Sequence, residues 1–296
     1  MSLSAAMTFL EASTHFTPDT CNLGTDGIDW SAIASAEAMS AFCGIMAGFV
    51  LAGLVTVIGQ KNPAGGDGHA SRGLKLFLPC FIGLATASYL YALTAGELVC
   101  PRAITEQLFS GAILAADALI VVVALAWLLP AYDRNQHGEV RFFRGLILFA
   151  AQFSMLMVTV SSDGFNNSVL ERHVNGLATG LVYGGGVAFM GVILFVWLKR
   201  LPQTPPPPTP LPNGVTAAGW PEHWRDEIVL NRRVQTAAKT SVTVGGVLAV
   251  AGGCVVGIAW NHWTSMAPTL AYTLSGVTLV LPGLAIITAV RSAPRA

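Results

Sequence analysis

Residues 110–130 read SGAILAADALIVVVALAWLLP, an apolar run interrupted by one acid, Asp117. A bilayer's hydrocarbon core is about 30 Å thick, and a helix crosses it in roughly 20 mainly apolar residues. The stretch is therefore long enough to span, and it is too long and too uniformly apolar for a half-buried strand. The rest of the chain repeats the pattern. Of 296 residues, 53% are hydrophobic and only 11% charged, whereas soluble domains carry about 25% charged residues. Six further runs meet the length test, and the seven predicted spans are 33–59, 74–96, 108–130, 142–163, 176–198, 240–261 and 267–290. Lipid offers no partners to backbone N–H and C=O groups, so each span is expected to be helical. The short alternating segments of a membrane β-barrel do not occur. The expected fold class is all-α, a polytopic integral membrane protein with seven transmembrane helices.

Formal net charge is zero, but the charges are segregated. Lys61, Arg72 and Lys75 follow the first span, and Arg134, Arg141 and Arg144 the third. Lys199, Arg200, Arg225, Arg232, Arg233 and Lys239 follow the fifth, and Arg291 and Arg295 the seventh. Fourteen basic residues thus fall on one side, against Arg102 and Arg172 on the other. Short basic loops stay cytoplasmic, which predicts the N-terminus outside and the C-terminus inside. The first residues lack a basic region and an apolar stretch long enough for a cleavable signal, so span one is expected to act as the targeting signal. The Ala, Gly, Val and Pro bias suggests a high-GC bacterium and a multi-pass protein of its plasma (inner) membrane.

Four regions are expected: an acidic extracytoplasmic tail (1–32), a five-helix bundle (33–199), a cytoplasmic linker and juxtamembrane helix (200–239), and a two-helix hairpin with a short tail (240–296). The linker contains LPQTPPPPTPLPNG at 201–214. A proline run of this kind adopts extended polyproline II and serves as a tether or as a docking segment for a partner. In WPEHWRDEIVLNRRVQTAAK (220–239), acids precede bases in the order the helix dipole favours. The expectation is either a short helix on the inner leaflet feeding span six, its basic end drawn to anionic lipid, or a plain juxtamembrane extension of that span.

Small residues recur every fourth position on three spans: Ser40, Gly44, Gly48 and Ala52; Gly176, Gly180, Gly184 and Ala188; Gly245, Ala249, Gly253 and Gly257. Each set shares a helix face and lets a neighbouring backbone approach. Packing inside the chain and homo-oligomerisation through one groove are the two readings. TVGG at 243–246 lacks the tyrosine and glycine that complete a potassium filter, and it lies in a helical run.

Asp117 is placed near the bilayer midplane. Exposing its charge to lipid there would cost about 2.5–3.5 kcal/mol on insertion scales. No Lys or Arg lies deep in any span, so the expected form is an uncharged carboxyl hydrogen-bonded to Gln152 of span four, with Thr86, Ser88 and Tyr89 as further donors. A proton or cation relay and a polar clamp between helices both fit. Glu37 and Asp163, at the outer ends of spans one and four, are the other relay candidates. The outer side also carries Glu11, Asp19, Asp26, Asp29, Glu97, Glu106 and Glu171, either the ordinary complement of a basic interior, which is the favoured reading, or a field that would concentrate cations.

Cys21 and Cys100 fall on the outer side and are candidates for a disulfide. Cys43, Cys80 and Cys254 are expected to be packing residues. His15, His69, His137, His173, His223 and His262 show neither HxxxH nor HExxH spacing, so no metal site is expected. No Walker loop, nucleophile elbow or kinase signature occurs, and no cofactor is expected. Seven helices with the N-terminus outside is also the rhodopsin arrangement. Retinal needs a lysine in the last span, and Lys61, Lys75, Lys199 and Lys239 all lie at inner boundaries, which excludes it. The expected partners are the lipid bilayer and either a second copy or another membrane subunit, with no nucleic acid. Two functions lead: a small transporter or channel component using Asp117, and a non-catalytic subunit or anchor. A sensor reading a ligand through the outer tail, and a membrane enzyme, follow with less support.

Overall fold

The computed structural model describes residues 31–59, 67–97, 100–132, 137–170, 176–199, 220–258 and 268–294. They form seven helices: α1 Ala32–Gly59, α2 Asp67–Ala95, α3 Cys100–Tyr132, α4 His137–Leu170, α5 Gly176–Leu198, α6 Trp220–Ile258 and α7 Pro268–Ser292. All seven are long and apolar enough to cross a membrane. The seven long apolar helices expected from hydropathy are therefore present, and they are compatible with a multi-pass membrane protein.

Helix α3 is the axis of the bundle and touches α1, α2, α4, α6 and α7. Helix α7 is the second centre, packed on α3, α4, α5 and α6. The last two helices are thus built into one bundle with the first five and do not stand apart as a hairpin. Two core clusters stack along the axis. One, with Leu76, Trp127, Ile147, Val234 and Val290, lies toward the end bearing the basic loops. The other, with Leu90, Ile104, Phe109, Phe165 and Ala271, lies toward the acidic end. Around them Phe42, Phe49, Phe142, Phe149, Leu181 and Val250 are exposed, a distribution suited to lipid rather than water.

Hydroxyls inside the apolar runs satisfy themselves within their own helices. Thr86 donates to the Ile82 carbonyl (2.8 Å), Thr159 to Met155 (2.8 Å) and Thr278 to Leu274 (2.9 Å). Between helices, Ser40 and Ser88 exchange bonds, each hydroxyl donating to the other's carbonyl at 2.9 Å. This reciprocal pair fastens α1 to α2. At the basic end Arg72 lies over the Trp127 ring (5.1 Å) and Arg144 over Trp197 (5.3 Å). The Trp127 indole N–H donates to the Ser292 carbonyl at 2.9 Å. Such cation–π contacts let Arg stay buried near an interface while its charge is met by an aromatic face.

Two expectations need correction. The segment 220–239 is not a separate short helix: it runs without a break into the sixth span as α6. Val234 and Ala237 are buried in the core, and Asn231 accepts a bond from Arg72 Nε (3.1 Å). Ile228 and Val229, before them, stay exposed. The proline linker and most of the acidic tail lie outside the described residues.

Most glycines of the regular small-residue stripes also do not pack against the described residues, although Ser40 and Ala249 do. A side chain on Gly48, Gly176, Gly180, Gly184 or Gly253 would meet nothing within 4 Å. Only Gly44 is used, against Ser88 Oγ (3.3 Å); Gly257 lies in the last turn of α6, whose surroundings are outside the described residues. Close approach depends instead on irregularly placed glycines. Added methyls on Gly186 and Gly283 would collide with Thr159 and the Phe189 ring, the latter at 2.7 Å. Gly186→Ala and Gly283→Ala are each expected to destabilise the fold by about 1–3 kcal/mol, whereas Gly180→Ala stays within about 0.5 kcal/mol of wild type. Thermal unfolding of the purified protein in lipid nanodiscs reads the difference, and equal effects at positions 180 and 186 would contradict this packing.

Candidate functional site

Asp117 lies two residues from the centre of the 27-residue Arg102–Leu128 span and is 2% exposed. Its carboxyl sits where α2, α3 and α6 meet. Ser241 of α6 donates its hydroxyl to Asp117 Oδ1 at 2.9 Å. The other oxygen occupies the space that a side chain on Gly83 of α2 would fill. Cys80, one turn before Gly83, donates its thiol to the Asp117 carbonyl at 3.3 Å. The flanking residues Ala116, Leu119, Ile120, Val121 and Leu84 are buried and apolar. The carboxyl is therefore enclosed, with a hydroxyl on one oxygen and a glycine gap opposite the other.

Gln152 is not its partner. The Gln152 side-chain amide donates to the Met190 carbonyl at 3.1 Å and ties α4 to α5. Helix α4 meets α3 on a different side from α2 and α6, so equal depth did not bring the two residues together. Thr86 is spent on its own helix and Ser88 on Ser40, and Tyr89 is exposed. Glu37 lies exposed in the second turn of α1. Asp163 accepts bonds at Oδ2 from the Tyr183 hydroxyl and the Asn167 amide, both 3.2 Å, and joins α4 to α5. Of the four relay candidates, Asp117 alone is buried near mid-span.

The residues missed from sequence are Ser241, Gly83 and Cys80. Ser241 was concealed by its place next to Lys239, which made it look like a boundary residue. The span Ile228–Cys254 begins well before the predicted 240, and this brings Ser241 level with Asp117. Lys239 and Arg232 are exposed on the outer face of α6, from which long cationic side chains can reach toward an interface.

At the acidic end, Arg102 pairs with Glu97. Glu106, one turn further along α3, is 1% exposed, and neither of its carboxyl oxygens has a hydrogen-bond partner. On the opposite side of α3 the Asn166 amide donates to Ser275 Oγ (3.1 Å) and links α4 to α7. Cys100 is disulfide-bonded, and Cys43, Cys80 and Cys254 are free; Cys21, its expected partner, lies outside the described residues. Among the described residues no group of three His, Cys, Asp or Glu is placed to hold a metal ion. Comparison with protein-family models, curated proteins and solved structures returns no match.

The Asp117–Ser241 bond has a measurable signature. In a double-mutant cycle Asp117→Ala and Ser241→Ala are expected to couple by about 0.6–1.7 kcal/mol, the range for side-chain bonds between membrane helices. Asp117→Ala and Gln152→Ala should add within about 0.5 kcal/mol. Unfolding free energies in mixed micelles check both, and strong coupling to position 152 with none to 241 would reverse the assignment.

Proposed function

We propose that the chain is a small transporter or channel component that handles protons or small cations, with Asp117 as its protonatable centre. The supporting observation is the enclosure of Asp117 between α2, α3 and α6, held by the Ser241 hydroxyl and admitted by Gly83. A simple clamp between helices needs only a polar side chain, and an amide would serve without an ionisable group at mid-span. Intramembrane carboxylates are costly, and in membrane proteins they mark ion and proton pathways. Ser241 and Gly83 stand on separate helices, so ionising the carboxyl would alter the fit of two helix pairs together. Such coupling is what an element with two arrangements requires. In this reading the N-terminus is outside, the basic end faces the cytoplasm, and the protein sits in the plasma membrane.

A second reading is a non-catalytic membrane subunit or anchor. The outward groove of Gly176, Gly180, Gly184 and Ala188 on α5 favours it, since among the described residues nothing fills those glycine positions and Ala188 is exposed. A helix of a second copy or of another subunit would fit there.

Flux separates the two. Purified protein in liposomes is expected to carry proton or alkali-cation flux that Asp117→Asn lowers at least tenfold while leaving the protein folded. Wild-type liposomes that stay tight under proton, sodium and potassium gradients of either sign would sink the transporter reading and leave the subunit reading standing.

A further inference from the structure

Glu106 is a second buried acid of α3, in the second turn of the helix, and among the described residues nothing satisfies it. It is 1% exposed, with both carboxyl oxygens free of hydrogen bonds. The nearby hydroxyls have committed their protons elsewhere. Thr94, fully buried beside it on α2, donates to the Leu90 carbonyl at 3.0 Å. Ser110, one turn along α3, donates to the Glu106 carbonyl at 2.9 Å. Thr94 stands close enough to act on the carboxyl, but with its proton given to Leu90 it meets the carboxyl as an acceptor. A buried carboxylate without a hydrogen bond is costly.

The charge count agrees. The charged groups acting on Glu106 are Glu97 and Arg102, and Arg102 forms an ion pair with Glu97. Tyr91 of α2 adds a neutral hydroxyl near Ser110. Among the described residues, these two carboxylates and one guanidinium sum to one negative charge at the acidic end. One monovalent positive charge would balance it, with the Glu106 carboxylate and the Thr94 hydroxyl oxygen to receive it.

Position along α3 links this nook to Asp117. Residues 106, 110 and 117 are spaced i, i+4 and i+11, which places all three on one face of the helix. Glu106 thus stands about 16 Å along the axis from Asp117, on the side that meets α2 and α6. We propose that Glu106, with Thr94, is a binding site for a monovalent cation, a proton or an alkali ion, at the acidic end of the same face. This rests on the cation-handling reading of Asp117, but its test needs no transport.

Two measurements on full-length protein in nanodiscs decide it. Infrared spectra at neutral pH report a proton: wild type should show a carboxylic-acid C=O band that is lost in Glu106→Gln. Melting in sodium or potassium chloride against choline chloride at equal ionic strength reports an alkali ion. Wild type should gain about 3–6 °C at tenfold the Kd, and Glu106→Gln should not. Thr94→Val keeps the shape and removes the hydroxyl oxygen, so it should shift the band or weaken the cation effect even if Glu106→Gln does not fold. If wild type shows neither a band nor a cation effect, or if both variants behave as wild type, the site does not exist. Binding without flux would keep Glu106 and overturn the role of Asp117; flux without binding would do the reverse.

Discussion

Lipid forms no hydrogen bonds, and that constraint orders the whole molecule. Every backbone group in a span must be met within its own helix, so the elements are helices and side chains alone join them. The serine and threonine hydroxyls follow the same rule. Most return their proton to a carbonyl one turn back, as Thr86, Thr159 and Thr278 do. The few that cross between helices then become specific joints: Ser40 with Ser88 for α1 and α2, Asn166 with Ser275 for α4 and α7, Ser241 with Asp117 for α6 and α3. With no hydrophobic effect to press helices together inside lipid, such joints and close glycine contacts set which faces meet.

The position of α3 follows from this. It meets five of the other six helices, so almost its whole circumference is protected from lipid. A helix in that position can hold an acid at mid-span, and a helix on the rim cannot. Placing Asp117 or Glu106 on the exposed face of α1 or α5 would leave the carboxyl among acyl chains. The central helix carries both, and each is buried.

Hydropathy made the seven helices legible because the length and apolarity of a span are local properties. Charge segregation made the two ends legible for the same reason. Helix neighbours were not legible, since seven helices of similar composition can be arranged in many ways. That is why Gln152, at the right depth, was paired with the wrong helix, and why α7 looked peripheral. The glycines show the same limit. Regular spacing drew the eye to Gly176, Gly180 and Gly184, while Gly83, Gly186 and Gly283 make the tight contacts without any pattern. A close contact needs one glycine opposite one bulky group, and periodicity carries no information about what lies opposite.

The two acids of α3 differ in a way that bears on how the bundle would work. Asp117 has a hydroxyl donor and a recess cut for it by Gly83, so its surroundings are adapted to the carboxyl whether or not a proton is present. Glu106 has no hydrogen-bond partner among the described residues, and the hydroxyl of nearby Thr94 gives its proton to Leu90. Adding a positive charge would therefore relieve Glu106 more than Asp117. In the proposed reading, a charge arriving from the acidic end would meet first the group that gains most from it. Moving on along the same helix face, it would reach a group whose partners stand on α2 and α6 and which could register its arrival as a change in helix fit. On that proposal, the order of the two sites along α3 would give the bundle a direction, from the acidic end inward.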